Sequence, residues 1–128
     1  MLFSLQNVNL VVADIERSRN FYMTVLGLRE DLRMSSYPEF MVLQAGHVTV
    51  SFQPATAMGI KGQASNALEL GFEVDDIEAA HARLKQAKAT VDAEINVMGF
   101  GRTFDARDPD GNMLNIYELV QGRRGGDQ

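Results

Sequence analysis

Five residues, Val12-Ala13-Asp14-Ile15-Glu16, recur with small changes 62 positions later as Val74-Asp75-Asp76-Ile77-Glu78. Each copy closes a short apolar strand pattern and opens a helical one. A duplicated strand–helix unit constrains this chain more than any other feature. With 128 residues there is room for one real core but not for two large independent ones. Residues 1–128 therefore read as a single domain of two equivalent modules, about 5–53 and 67–120, facing each other around a shared cleft. Functional side chains are to be sought at matching positions of the two copies.

The strand and helix patterns follow from spacing. From Leu5 to Val12, Val8, Leu10 and Val12 fall on one face and Asn7 and Asn9 on the other, the two-residue period of a strand. Asp14 is placed to cap a helix that runs to about Leu26, with Gly27 as its left-handed stop. Phe40 to Leu43 reads as a short strand. His47 to Gln53 reads as another, with Val48, Val50 and Phe52 opposite His47, Thr49, Ser51 and Gln53. Pro54 to Ala67, rich in Ala, Gly, Ser and Gln, reads as the connection.

The pattern then restarts. Leu68, Leu70, Phe72 and Val74 alternate with Glu69, Gly71 and Glu73. Asp75 and Glu78 have the three-residue spacing of a capping box. Ile77, Ala80, Leu84 and Ala87 form the apolar stripe of the second helix. Val91–Val97 and Arg102–Arg107 read as strands, and Met98-Gly99-Phe100-Gly101 as a turn. Asp108-Pro109-Asp110-Gly111 is a tight turn in which Gly supplies the positive φ. Met113 to Val120 is the last strand, and 121–128 a polar, Gly-rich tail expected to be disordered. The order is strand, helix, several strands, repeated. The expected class is α+β, two tandem βαβββ modules forming an incomplete barrel around a cleft.

Composition narrows the partners. The net charge of −5 argues against nucleic acid, which needs a basic face. No apolar run approaches the ~20 residues that span a bilayer. The chain has no cysteine, so thiolate metal sites and cysteine nucleophiles are excluded. The N-terminus lacks the pattern of a signal peptide, so the expected location is cytoplasmic.

Several motifs occur together in a defined order. They are Asn7-Val8-Asn9-Leu10-Val11-Val12-Ala13-Asp14, Ser18, Phe21-Tyr22 and Leu26-Gly27-Leu28 in the first module. Phe72-Glu73-Val74-Asp75-Asp76, Gly101-Arg102 and Asp108-Pro109-Asp110-Gly111-Asn112 follow in the second. Over residues 5–119 this pattern resembles the vicinal oxygen chelate superfamily, which includes glyoxalase I, extradiol dioxygenases and bleomycin-resistance proteins. The resemblance implies a cleft that in catalytic members holds a divalent metal through His and Glu side chains, and it implies a homodimer. It places the four ligand positions at Asn7, Ser51, Glu69 and Asn115. Carboxamides and a hydroxyl are poor transition-metal donors, so no metal is expected.

The polar strand faces still need an explanation. Asn7, Asn9, Thr49, Ser51, Glu69, Asn115 and Tyr117 lie opposite the helix-packing residues, and Met113 shares the face of Asn115 and Tyr117. They are candidate ligand-binding residues, with Phe100 as an apolar wall and Arg102 as a clamp for an anionic or planar group. The other reading for Arg102 is a salt bridge to a surface carboxylate. For the Asn residues it is solvent or mutual pairing. Two function classes remain open. One is a metal-independent small-molecule-binding protein like the bleomycin-resistance and antibiotic-sequestering proteins. The other is a glyoxalase- or dioxygenase-like enzyme with atypical ligands, or with Glu69 as general base.

Overall fold

The computed structural model describes residues 1–58 and 68–120. The chain divides into two compact units, Met1–Gln63 and Ala64–Gln128. The first is a βαβββ arrangement and the second the same with one added strand, in a mixed α+β fold. Residues 59–67 of the expected connection and the tail 121–128 lie outside the described residues. Among the described residues no helix is long and apolar enough to cross a membrane.

In the first unit β1 (Asn7–Val12) leads into α1 (Ile15–Asn20). The Asp14 carboxylate accepts from Arg17 N at 3.2 Å, as its capping position requires. The helix does not continue regularly to Leu26. Phe21–Val25 is a π-helical turn in which Leu26 N reaches back five residues to Phe21 O. The wider turn places both Phe21 and Tyr22 in the core, where the Tyr22 ring lies 5.2 Å from Phe21 and 5.0 Å from Phe52. Gly27, at φ 80°, stops the helix as expected.

Next come β2 (Arg29–Glu30), β3 (Met41–Ala45), β4 (Val48–Pro54) and a short α2 (Ala55–Met58). The sheet order is β1-β4-β3-β2, with β1 and β4 parallel. Leu10, Val12, Met41, Leu43, Val50 and Phe52 are buried on the helix side. Fully burying each such side chain stabilises by about 1.5–3 kcal/mol. His47 falls in the turn before β4 and is exposed.

The second unit repeats the plan with β5 (Glu69–Glu73), α3 (Ile77–Gln86), β6 (Thr90–Val91), β7 (Asn96–Met98), β8 (Gly101–Arg107) and β9 (Met113–Leu119). The order is β5-β9-β8-β6, with β7 on β8 and β5 parallel to β9. Ile77, Leu84, Phe104, Ala106, Leu114 and Ile116 form its core. The expected stripe ends early, because Ala87 is the exposed C-cap of α3.

The expected capping box is corrected. Asp76, not Asp75, caps α3, accepting from Ala79 N at 3.0 Å. Ile77 is fully buried, which makes it the first helical residue and its neighbour Asp76 the cap. Asp76 is also the 62-residue mate of Asp14. Glu78 turns to Arg102 instead, and Glu118 Oε2 at the end of β9 accepts from Ile77 N at 3.1 Å.

The turn into β9 is built as expected. Asp108 is buried, and its Oδ1 accepts from Asp110 N and Asn112 N at 3.0 and 2.8 Å. Its Oδ2 accepts from Asn112 Nδ2, and Gly111 has φ 91°.

Two glycines separate strain from crowding. At Gly101 a Cβ would lie 1.9 Å from Glu118 O, with φ at 154°. At Gly46, φ is 73° but nothing lies within 4 Å. Gly101→Ala is expected to cost at least about 2 kcal/mol through backbone displacement, and Gly46→Ala about 1 kcal/mol through φ alone. Urea denaturation midpoints at constant m-value check the ranking; equal losses would remove the role of close approach at Gly101.

Candidate functional site

Strand parity puts most apolar side chains of each sheet toward its helix and leaves the opposite face mainly polar, with Val11, buried Val42 and Met113 as exceptions. In the first unit that face carries a continuous row of side-chain hydrogen bonds across β1 and β4. The register pairs Asn7 with Thr49 and Asn9 with Ser51. Thr49 Oγ1 donates to Asn7 Oδ1 at 2.6 Å, and Asn7 Nδ2 donates to Ser51 Oγ at 3.1 Å. Ser51 Oγ donates to Asn9 Oδ1 at 2.7 Å, and Asn9 Nδ2 donates to Gln53 Oε1 at 2.9 Å. Ser51 is fully buried and fully satisfied, so no desolvation penalty remains on it. The row is uncharged throughout. Gln53, which closes it, was not among the residues singled out from sequence; it shares the parity of Thr49 and Ser51.

In the second unit the corresponding face carries Glu69, Gly71 and Glu73 on β5, and Met113, Asn115 and Tyr117 on β9. Asn115 Nδ2 donates to Thr103 Oγ1 at 2.6 Å and to Asp105 Oδ1 at 3.0 Å. Its amide nitrogen is thereby committed to β8, which leaves its carbonyl oxygen for other partners. Thr103 and Asp105 could have been found from sequence only by knowing the β8–β9 register. Tyr117 leans over Gly71, where an added Cβ would meet Tyr117 Cε1 at 3.5 Å. The phenol ring thus occupies space beside Gly71 that a side chain there would share. Phe100, in the β7–β8 turn, meets the Tyr117 ring edge-on at 6.3 Å.

Arg102 does not join this face. It shares the parity of buried Phe104 and Ala106, on the helix side of the sheet. Its guanidinium reaches Glu118 Oε1 at 2.8 Å and Glu78 Oε2 at 2.5 Å. Hydrogen bonding from Arg102 lowers the pKa of both carboxyl groups, and the Ile77 N–H lowers that of Glu118 further. The same two carboxylates raise the pKa of Arg102. Of the two sequence readings for Arg102, the structure places it in the salt bridge. Glu118, paired with Arg102 and of opposite parity to Asn115 and Tyr117, lies on the same helix side.

The four positions that the family pattern assigns to metal ligands hold Asn7, Ser51, Glu69 and Asn115. Asn7 and Ser51 are hydrogen-bonded to each other, and Asn7 Oδ1 already accepts from Thr49. One carboxylate, two carboxamides and a hydroxyl do not fit a transition metal, which takes imidazole, thiolate or carboxylate. Among the described residues no three His, Asp or Glu side chains gather into a metal-holding group.

The comparisons agree on the fold. Residues 4–116 match the family model of the Glyoxalase/Bleomycin resistance protein/Dioxygenase superfamily. The chain belongs to this superfamily. Among similar solved structures is a family enzyme from Burkholderia phytofirmans, with TM-score 0.79, 22% identity, and 92% of this chain and 100% of that one covered. Another is an antibiotic binding protein from a Streptomyces species, with TM-score 0.72, 21% identity, and 93% and 98% covered. A lactoylglutathione lyase from Agrobacterium tumefaciens has TM-score 0.70, 17% identity, and 96% of each chain covered. At these identities the likeness is one of fold. A comparison with curated proteins finds no significant sequence match.

The Arg102 network carries a pH prediction. In the fold, Arg102 holds the Glu78 and Glu118 carboxyl groups below the ordinary glutamate value of 4.5. Their stabilisation is therefore present above that value and lost as pH falls through the lowered ones. Arg102→Gln should lower Tm relative to the parent at pH 7, and the gap should close on acidification below about pH 4. A gap that stays constant from pH 7 to pH 3 would mean the ion pairs contribute nothing beyond packing.

Proposed function

We propose that this superfamily member binds a small aromatic cation non-covalently on the open face of its second unit, without a metal and without altering the ligand. The observation that carries this reading is the Tyr117 ring lying against Gly71, on the strand face that also carries Glu69. An aromatic face on a strand surface that carries an exposed carboxylate attracts a flat cation through cation–π and ionic terms together. Phe100 extends the aromatic surface, and Asn115 offers a carbonyl acceptor. The absence of a fitting donor set at the family's metal positions supports binding without a metal. The fold likeness to an antibiotic binding protein is in keeping with sequestration.

Ethidium, a planar cation, is a suitable probe. Saturable binding should be weakened about threefold to fivefold by Glu69→Gln and about tenfold by Tyr117→Ala. It should also weaken as salt rises, because the carboxylates are exposed and screened. Unchanged affinity in both variants would remove the site from this face.

A second reading keeps Glu69 as a general base. It is favoured by one observation: among the described residues, this exposed carboxylate has no hydrogen-bond partner. The two readings part on metal content and on product. Protein purified without chelators and then soaked in zinc, manganese, iron(II) or nickel is expected to retain only substoichiometric metal by elemental mass spectrometry. Near-stoichiometric metal that disappears in Glu69→Ala, or turnover of a glyoxalase or dioxygenase substrate abolished in Glu69→Gln, would overturn sequestration.

A further inference from the structure

The hydrogen-bonded row of the first unit has a property that survives any choice of amide orientation. Thr49 Oγ1 lies 2.6 Å from Asn7 Oδ1 and 3.2 Å from the backbone oxygen of Gln6. Its single proton serves one of them at a time. When it goes to Asn7, the row runs Thr49 to Asn7 to Ser51 to Asn9 to Gln53. When it goes to Gln6, every amide can turn over and the row runs the other way, with Thr49 and Ser51 accepting from Asn7 and Asn9.

In both directions each Asn spends its oxygen and one N–H inside the row. A carboxamide has two N–H donors and one oxygen. Among the described residues, one N–H of Asn7 and one of Asn9 are therefore surplus in either direction, and both residues are exposed. Only the Gln53 end changes character, from an N–H donor to a carbonyl acceptor.

The two surplus donors sit two residues apart on β1, about 7 Å between their Cα atoms. β1 is an edge strand, hydrogen-bonded only to β4 among the described residues. Ser51 is wholly buried and bonded to both Asn side chains, so it holds the two amides at fixed spacing. No charged side chain takes part. A charged ligand would gain no opposite charge to offset its desolvation here, whereas neutral carbonyl, ether or ring-nitrogen acceptors would each gain one hydrogen bond.

We infer that the Asn7–Asn9 face is a two-pronged donor site for the uncharged, acceptor-bearing edge of a planar small molecule, with Ser51 as its positioning residue. It uses different residues and opposite hydrogen-bonding polarity from the cation site of the second unit, and it does not rest on that reading.

Caffeine is a clean probe, being neutral and planar with two carbonyl oxygens and no N–H or O–H. Titrated into isotopically labelled protein, it should shift the side-chain amide resonances of Asn7 and Asn9 saturably. Asn9→Asp keeps an acceptor for the Ser51 hydroxyl but replaces the outward N–H with an anionic oxygen. It should weaken caffeine binding about tenfold; Asn7→Asp serves as the second variant should Asn9→Asp fail to fold. Amide resonances that stay still throughout the titration, or shifts that persist undiminished in the folded Asp variants, would overturn the inference. Ethidium binding that needs Glu69 while caffeine leaves both Asn amides unmoved would sink this site alone. Caffeine binding without ethidium binding would sink the cation reading alone.

Discussion

Parallel pairing of the first and last strands of each unit governs the rest of the molecule. β1 lies beside β4 and β5 beside β9, both parallel. A parallel neighbour cannot be reached by a tight turn, so the chain must leave the sheet and return through a crossover. In each unit that crossover includes a helix, and the apolar side chains of the strands are buried on the helix side. The opposite face receives the residues of the other parity. Most of those residues are polar, and no helix of their own unit covers them; Val11, Val42 and Met113 are the apolar members.

The two open faces have diverged in chemistry while keeping the same scaffold. The first is a neutral row in which every oxygen is occupied and amide protons are left over. The second commits its amide nitrogen to β8 and offers carboxylates, a carbonyl and an aromatic ring. Residue-level choices separate them. Asn9 in β1 holds two partners, whereas its repeat mate Gly71 holds none and makes room for Tyr117. The helix side shows the same division of labour. Glu118 and Glu78 fasten Arg102 and the start of α3 there, which keeps that guanidinium away from the acidic open face.

Much of the site was legible in sequence, because strand parity is a local property. The faces of Asn7, Asn9, Thr49, Ser51, Glu69, Asn115 and Tyr117, and the placement of Phe52 and Glu118 on the helix side, follow from counting by two. Register is not local, and what depended on it was missed. Gln53 closing the first row and Thr103 and Asp105 holding Asn115 each need the alignment of one strand with another, and Glu78 reaching Arg102 needs the packing of α3 against β8. The π-helical turn at Phe21–Val25 was missed for a related reason. It answers to the packing of two adjacent aromatic residues against Phe52, not to any propensity within the turn.

By itself the sequence determined the duplication, the α+β class, the buried and open strand faces, the Asp14 cap, the Gly27 stop and the Asp108–Asn112 turn. All of these arise from side-chain period, backbone φ preference or hydrogen bonds within a few residues. Only the tertiary structure decided which of two adjacent aspartates caps α3, where Arg102 finds its carboxylates, and which asparagine protons are left over. Each of these depends on groups brought together from distant parts of the chain, where burial of Ile77, the β8–β9 register and the β1–β4 register settle competitions that local spacing leaves open.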